Sequence, residues 1–423
     1  MSNKTGKFLI DLGLADIKVK HVSQDVSGNY HLDIICTAKS TVCSKCKALI
    51  SQPCGYCKET IIEHLPILEK RVFLHVKWPR FKCHSCDGTS TSFHPDWLNK
   101  TGQKSLGFEN YILKSLINST IKDVAERTGL TEETVEGILN RRVNTEYDFK
   151  LEKPTVIGID EIALRKGHKQ YLTIVSDLSK AGQTKIIDVI KGRTKEELKP
   201  FMDSIPDEVL YGLESICVDM GASYLSALKE RINNEHFFNY VVTIDRFHVA
   251  KQVGERVDKE RKKLINKLKK EHEENEQTLE KIKGTMWPFR HHPEALSDEE
   301  HRQLNDLFDL SSELKACYEL RESLYAIFEH HHSKTSAKKA IADWVEQANE
   351  YPAFDSFIKT YESHKANILN YFTHRRTSGP VEGLNNKIKV VKRRGFGFRN
   401  IGNFAKRLFL DINYKSEFRP AFS

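Results

Sequence analysis

Six of the nine cysteines fall into three C-x-x-C pairs before residue 90: Cys43 and Cys46, Cys54 and Cys57, Cys83 and Cys86. Pairs this dense force the surrounding backbone into tight knuckles. In a reducing compartment they point to a metal rather than to disulfides. Four thiolates suit tetrahedral zinc. Between the second and third pairs, HLPILEKRVFLHVKWPRFKC alternates apolar residues such as Val72, Leu74 and Val76. That pattern reads as a β-hairpin delivering a knuckle, the layout of a zinc ribbon. Six thiols compete for four positions. The spacing favours Cys43, Cys46, Cys83 and Cys86 as the structural zinc ligands, with Cys54 and Cys57 inside the intervening loop. Redox thiols or unligated cysteines are the alternative. Lys77, Arg80 and Lys82 beside the knuckle could face phosphates. Cys36, Cys217 and Cys317 stand alone in apolar surroundings and read as packing residues.

The chain of 423 residues has room for two to four domains. Charged residues make up 29% and hydrophobic residues 39%, and the net charge of +8 suits a polyanionic partner. No apolar run approaches the roughly 20 residues that cross a bilayer. The first twenty residues carry charges where a signal peptide needs its apolar core, so a cytoplasmic protein with no membrane partner is expected.

After an N-terminal region of residues 1–100, residues 101–150 read as a helix-turn-helix. Val124 and Ala125 lie on its first helix, Gly129 makes the turn and Leu130 plugs the core. Thr131 caps the second helix, where Val135, Ile138 and Leu139 recur at helical spacing. An ordinary helical hairpin is the alternative. The second helix opens on Glu132 and Glu133, so DNA contacts are expected from Lys122, Arg127, Arg141 and Arg142.

From Thr155 the pattern becomes α/β. Val156, Ile157 and Ile159 run into Asp160 and Glu161, and Tyr171–Val175 follows after a polar turn containing Gly167. Further strands are expected at Lys185–Ile190, Ser215–Asp219 and Tyr240–Asp245, and helices at Lys195–Met202, disturbed near Pro200, and Ala222–Ile232. The order βββαβαβ describes a mixed sheet with helices on its faces. Its first and fourth strands would be neighbours, so Asp160 and Asp219 would face one crevice. Asp160 is then either the first ligand of a metal site or a strand-end residue capping a turn.

Residues 249–370 break the alternation with charged helices. Residues 251–270 hold nine basic and three acidic residues, either a solvated face or a DNA-backbone contact. Trp344 sits on an amphipathic helix and reads as core. Near the C-terminus, Pro380 can begin a helix with Glu382 in its first turn, and Asn385, Asn386 and Lys389 fall on the same face. Lys387, Lys389, Lys392, Arg393 and Arg394 continue that helix as a basic stripe with no acid until Asp411. Glu382 is either an acid kept beside a phosphate-binding stripe or a helix-start residue favoured by the macrodipole.

Gly158-Ile-Asp-Glu161, Val218-Asp219-Met220, Asp245-Arg-Phe-His248 and Glu382-Gly-Leu-Asn-Asn-Lys-Ile-Lys389 occur here in one order and spacing. From about Cys43 onward the chain resembles the ISL-three family of insertion-sequence transposases, a branch of the DDE transposases. The resemblance implies a multidomain α/β protein: zinc ribbon, helix-turn-helix, and an RNase H-like mixed sheet formed by residues 151–248 and 371–423, with a large helical insertion at 249–370. It implies Asp160, Asp219 and Glu382 as a triad holding two Mg²⁺ or Mn²⁺ ions, with Asp245 and His248 as accessory residues. The implied partners are double-stranded DNA, as terminal inverted repeats and target, and further copies of the chain on that DNA, in a bacterial cytoplasm. Ser378 stands where many relatives have Asn, and Cys54 with Cys57 is additional. A domesticated DNA-binding protein would have lost an acid, and none is lost. A nuclease or junction resolvase would share the acids but have less use for two further DNA-binding modules.

Overall fold

Alternation at period two builds the first strands. In the computed structural model, β1 (Ile17–Gln24), β2 (Tyr30–Cys36), β6 (Thr60–Ile67) and β7 (Lys70–Val76) form a sheet in the order β1-β2-β7-β6. Leu32, Ile34, Ile62, Val72, Leu74 and Val76 make its buried side. The structure describes residues 12–86, 88–99, 101–164, 170–271, 280, 282–330, 333–374, 379–395, 398 and 400–414, with backbone alone at 222, 374, 379, 380 and 382. The turn at Gly167, Ser378 and the side chain of Glu382 lie outside that description. The chain divides into two units, one running to Asn144 and taking in Tyr414, the other Thr145–Asn413.

The expected hairpin exists as β6–β7, turning through Leu68 and Glu69 at positive φ, but it does not carry a knuckle. Cys83 instead follows β8 (Pro79–Lys82), which lies in a separate sheet between β5 (Gln52–Tyr56) and β9 (Ser90–Ser92). The small β3 (Thr41–Val42) and β4 (Leu49–Ile50) flank the first knuckle. The described residues before 42 supply β1 and β2.

Three helices follow in the same unit: α1 (Leu106–Leu116), α2 (Ile121–Thr128) and α3 (Glu132–Arg142). Thr120 and Asp123 form a capping box on α2, Gly129 ends it at φ 67°, and Thr131 caps α3. Val124, Ala125, Val135, Ile138 and Leu139 are buried, whereas Leu130 is half-buried.

The second unit begins with α4 (Phe149–Glu152) and is built on five strands: β10 (Val156–Ala163), β11 (Tyr171–Asp177), β12 (Lys185–Lys191), β13 (Ser215–Val218) and β14 (Val242–Ile244). Their order is β12-β11-β10-β13-β14. The pairs β10–β11 and β11–β12 are antiparallel, and β10–β13 and β13–β14 are parallel. Ile157, Ile159, Ile216 and Val218 join a core with Leu198 and Phe201 of α5 (Lys195–Ser204) and Leu225 of α7 (Ala222–Ile232).

Two expectations fail here. The helix α5 runs through Pro200 to Ser204, started by a Thr194–Glu197 capping box. After the short α6 (Asp207–Leu210) and α7, residues Glu235–Val241 form a helix, α8, so the strand expected from Tyr240 begins only at Val242. Asn234 caps α8 through the Phe237 N–H, which lets an aromatic run with strand character start a helix.

The helical region comprises α9 (Arg246–Glu271), α10 (Met286–Arg290), α11 (Asp298–Asp309), α12 (Ser312–His330), α13 (Lys334–Ala348), α14 (Asp355–Leu369) and α15 (Tyr371–His374). Trp344 is core, its Nε1 donating to the Leu320 carbonyl at 2.7 Å. The basic run on α9 is partly turned inward, because buried Asp258 pairs with Arg261, Lys262 and Arg290. Asn367 and Asn370 donate to the Val242 carbonyl and fasten α14 to β14. The last helices are α16 (Gly379–Arg394) and α17 (Ile401–Ile412). Beyond α17, Asn413 bonds both the N–H and the carbonyl of Ile186 at 2.8 Å, imitating a strand neighbour on edge strand β12.

Candidate functional site

The two knuckles Cys43/Cys46 and Cys83/Cys86 converge in the first unit, with all four sulfurs within 4.8 Å of one another. Cys43 Sγ is 3.7 Å from Cys86 Sγ, and Cys46 Sγ is 3.6 Å from Cys83 Sγ. Ligands about 2.3 Å from a tetrahedral zinc stand about 3.8 Å apart, so the cluster fits that ion. Cys54 is exposed on β5, and Cys57 contacts Ser92 Oγ at 3.0 Å.

The second constellation sits at the C-terminal ends of β10 and β13. These strands are parallel with Gly158 opposite Cys217 and Ile159 opposite Val218, so Asp160 and Asp219 come side by side on one face. On that face a Cβ at Gly158 would stand 2.8 Å from both Val381 and Leu178 and 3.0 Å from Ser176 Oγ. The missing side chain lets α16 approach the strand. One turn further along α16, buried Asn385 donates through Nδ2 to Asp160 Oδ2 at 2.5 Å, while the Glu161 N–H donates to Asp160 Oδ1 at 2.7 Å. Asn385 Oδ1 is buried without a hydrogen-bond partner among the described residues.

Burial pushes the Asp160 carboxyl above its usual pKa and the charge of Asp219 adds to this, opposed by the Glu161 N–H, His248 and Asn385. Asp219 Oδ1 accepts from the Met220 N–H at 2.5 Å and lies 3.1 Å from His248 Nδ1. His248 reaches it from the first turn of α9, where buried Asp245 receives the Phe247 N–H at 3.2 Å. Glu161 points to the opposite face, paired with Arg193 at 3.2 Å. Residue 382 lies in the first turn of α16, three residues before Asn385. Two neighbouring carboxylates and an unpaired buried amide oxygen make a donor set for a hard divalent cation.

The comparisons with known proteins identify the family of the chain. A family model described as "Transposase", the DDE type of ISL3, matches residues 157–408. The chain belongs to the ISL3 transposase family. A second model, "Helix-turn-helix domain of transposase family ISL3", matches residues 94–143 of the transposase. The transposase for insertion sequence element IS1001 of Bordetella parapertussis is 26% identical over 373 residues, covering 86% of this chain and 87% of its own. The transposase for insertion sequence element IS1557 of Mycobacterium tuberculosis is 22% identical over 351 residues, covering 78% and 76%. The protein is thus a DDE-type transposase carrying a helix-turn-helix DNA-binding domain. No helix among the described residues is long and apolar enough to cross a membrane.

The basic residues of the transposase differ in how freely they can meet DNA. Lys122 is 70% exposed, with only a loose contact to Glu126. Arg127 donates to Ser119 Oγ at 2.7 Å and to the Asp123 and Ser115 carbonyls, tying α2 to the end of α1. Arg141 and Arg142 both pair with Glu109, a carboxylate on α1 with no exposed side-chain surface that also receives Asn99 Nδ2. Sequence reasoning missed Glu109, whose two arginine partners lie more than thirty residues away. On α16, Lys389, Arg393 and Arg394 are exposed and Lys387 and Lys392 half-buried. Lys392 donates to the Ala163 carbonyl at 2.9 Å, where β10 ends. Asn385 was legible as a neighbour of Glu382 on the helix face, but nothing in the spacing named Asp160 as its partner.

Proposed function

We propose that Asp160, Asp219 and Glu382 are the catalytic acids of an RNase H-like domain formed by residues 151–248 and 371–423, with 249–370 as an insertion into it. One observation carries this reading: Asp160 and Asp219 lie together at the ends of parallel neighbours, on the face where the first turn of α16, holding residue 382, approaches Gly158. The sheet, three antiparallel strands continued by two parallel ones, supports it.

The three acids would hold Mg²⁺ or Mn²⁺, two ions per site, with Asn385 Oδ1 available beside them. Bound divalent ions supply Lewis acidity that activates water or a 3′-hydroxyl and steadies the leaving oxygen. The chain's own residues set the geometry. Asn385 and the Glu161 N–H fix the two oxygens of Asp160, and His248, turned inward by the Asp245-capped start of α9, orients Asp219. Lys387, Lys389, Lys392, Arg393 and Arg394 would carry the phosphates of the reacting strand past these acids.

The substrate is double-stranded DNA, the element's terminal inverted repeats and its target, cut and joined by a homo-oligomer assembled on that DNA in the bacterial cytoplasm. End recognition falls to residues 1–150: a region of residues 1–100 held by zinc on Cys43, Cys46, Cys83 and Cys86, and the helix-turn-helix of residues 101–150. Within the latter Lys122 is the freest phosphate contact, and Arg127, Arg141 and Arg142 also shape the helices. The test is strand cleavage and joining of repeat-ended DNA with Mg²⁺. Asp160→Asn, Asp219→Asn and Glu382→Gln should each slow both reactions about a thousandfold while sparing end binding. Cleavage without any joining by the wild type would favour a nuclease or resolvase instead.

A further inference from the structure

A cavity of about 880 Å³ opens in the second unit among α7, α8, α13 and α14, sharing no residue with the carboxylate face. Four lysines line it, Lys229, Lys334, Lys338 and Lys365. The acids in its wall are Glu235 and Glu362, and Glu362 is taken up by Lys365 at 3.3 Å. Among the described residues Lys229 and Lys338 form no ion pair.

Lys334 is held in place rather than neutralised. Its amine donates to Asn370 Oδ1 at 2.7 Å, and Asn370 Nδ2 is itself fixed by the carbonyls of Asn239, Tyr240 and Val242. Burial lowers the Lys334 pKa. A cation positioned by a rigid amide, without a counter-charge among the described residues, is arranged to meet an anion from outside.

The helix that carries it points the same way. The first turn of α13 holds no acid, and Lys334 and Lys338 sit at i and i+4 beside the positive end of the dipole, where carboxylates are the favourable choice. An anion in the cavity would offset both the dipole and the lysine pair. The opposite wall is also distorted: His364, with φ −126° and ψ 18°, interrupts α14 within the lining without a proline or glycine at that position.

We propose that this cavity is a phosphate site distinct from the carboxylate face, taking either successive phosphodiesters of a DNA strand or a free polyphosphate. Its volume exceeds what one phosphate needs. The proposal does not rest on the catalytic assignment, and its test contains no divalent metal, so either reading can fail alone.

The experiment compares the full-length protein with Lys229→Gln/Lys334→Gln/Lys338→Gln. The probes are a fluorescent DNA duplex of arbitrary sequence, titrated across a salt series, and sodium tripolyphosphate, read by thermal shift. If the site holds DNA, the slope of log K against log salt becomes shallower by about two to three, because each lost phosphate contact removes about 0.9. If it holds a small anion, duplex binding is unchanged, while tripolyphosphate raises the melting temperature of the wild type and not of the variant. Unchanged responses to both probes overturn the proposal. The corresponding Lys→Arg triple variant should keep whichever response the wild type shows, and its loss there would also overturn the proposal. Should the Gln variant not fold, Lys338→Glu on the exposed rim must still weaken the responding probe severalfold.

Discussion

The thiol cluster and the carboxylate face are assembled in opposite ways. The sulfurs of Cys43 and Cys86 meet across 43 residues of chain, and those of Cys46 and Cys83 across 37. Asp160 meets Asn385 across 225. In the first case each knuckle is a tight local turn, and bringing two knuckles together is most of the construction. In the second, no acid has a local reason to sit near another. The face exists only because β10 and β13 pair in parallel and α16 returns to lie on Gly158. A local site therefore stabilises the small region around it, whereas a dispersed site depends on a fold completed without it.

Metal removal should give the largest difference between the two regions. Chelation, or Cys83→Ser, should unfold the ribbon region, because a structural zinc supplies folding energy to a domain with a small core. The second unit should keep its melting transition. Metal analysis should find about one zinc per chain, retained in Cys54→Ser/Cys57→Ser. A zinc-free protein with an intact first unit would remove the contrast altogether.

Next comes chemistry without structure. Asp160→Asn or Asp219→Asn should slow strand cleavage about a thousandfold, about 4 kcal/mol of transition-state stabilisation. The same changes should leave the metal-free melting temperature equal or higher, since each removes one of two neighbouring half-buried like charges. Cysteine loss should destabilise and aspartate loss should not. A metal-free melting temperature lowered by either aspartate change would mean that these acids serve the fold.

Much of this was legible in the residues, and what was not has a common cause. The strands β10, β11, β12 and β13 announce themselves as apolar β-branched runs, and Thr131, Thr194 and Gly129 mark helix ends by chemistry that acts over three or four residues. Tyr240 and Val241 mislead because they carry strand propensity, while the Asn234 cap and burial of Phe238 and Val241 make them the end of a helix. Long-range polar partners are silent in the sequence: Asn385 for Asp160, Asn413 for Ile186, and Glu109 for Arg141 and Arg142.

Glu109 offers a smaller test inside the local region. Glu109→Gln should cost about 2 kcal/mol of first-unit stability, since it removes the charge that two guanidiniums share. Burial alone would raise the Glu109 pKa, but Asn99, Arg141 and Arg142 outweigh it and hold it below the ordinary value. With a depressed folded pKa, the contribution is complete above the unfolded value of 4.5 and is lost as pH falls below it. Denaturant melts of wild type and Glu109→Gln should therefore converge on acidification. If the gap between them is instead constant with pH, the ion pairs contribute nothing.

The subtlest prediction separates fold from site in the dispersed region itself. Gly158→Ala adds one methyl where Val381, Leu178 and Ser176 already crowd the strand. Overpacking of this kind costs about 1–3 kcal/mol, most simply relieved by α16 moving outward, since β10 is held by neighbours on both sides. That movement would lengthen the bond from Asn385 Nδ2 to Asp160 Oδ2 and draw residue 382 away with the helix. Cleavage should then fall by more than the stability loss accounts for, with DNA binding through the first unit unchanged. Val381→Ala supplies the control, because shortening the opposing side chain makes room for the new methyl. The double variant should recover cleavage if helix position is what matters. If Gly158→Ala cleaves normally despite its lost stability, the approach of α16 to β10 does not set the geometry of the acids.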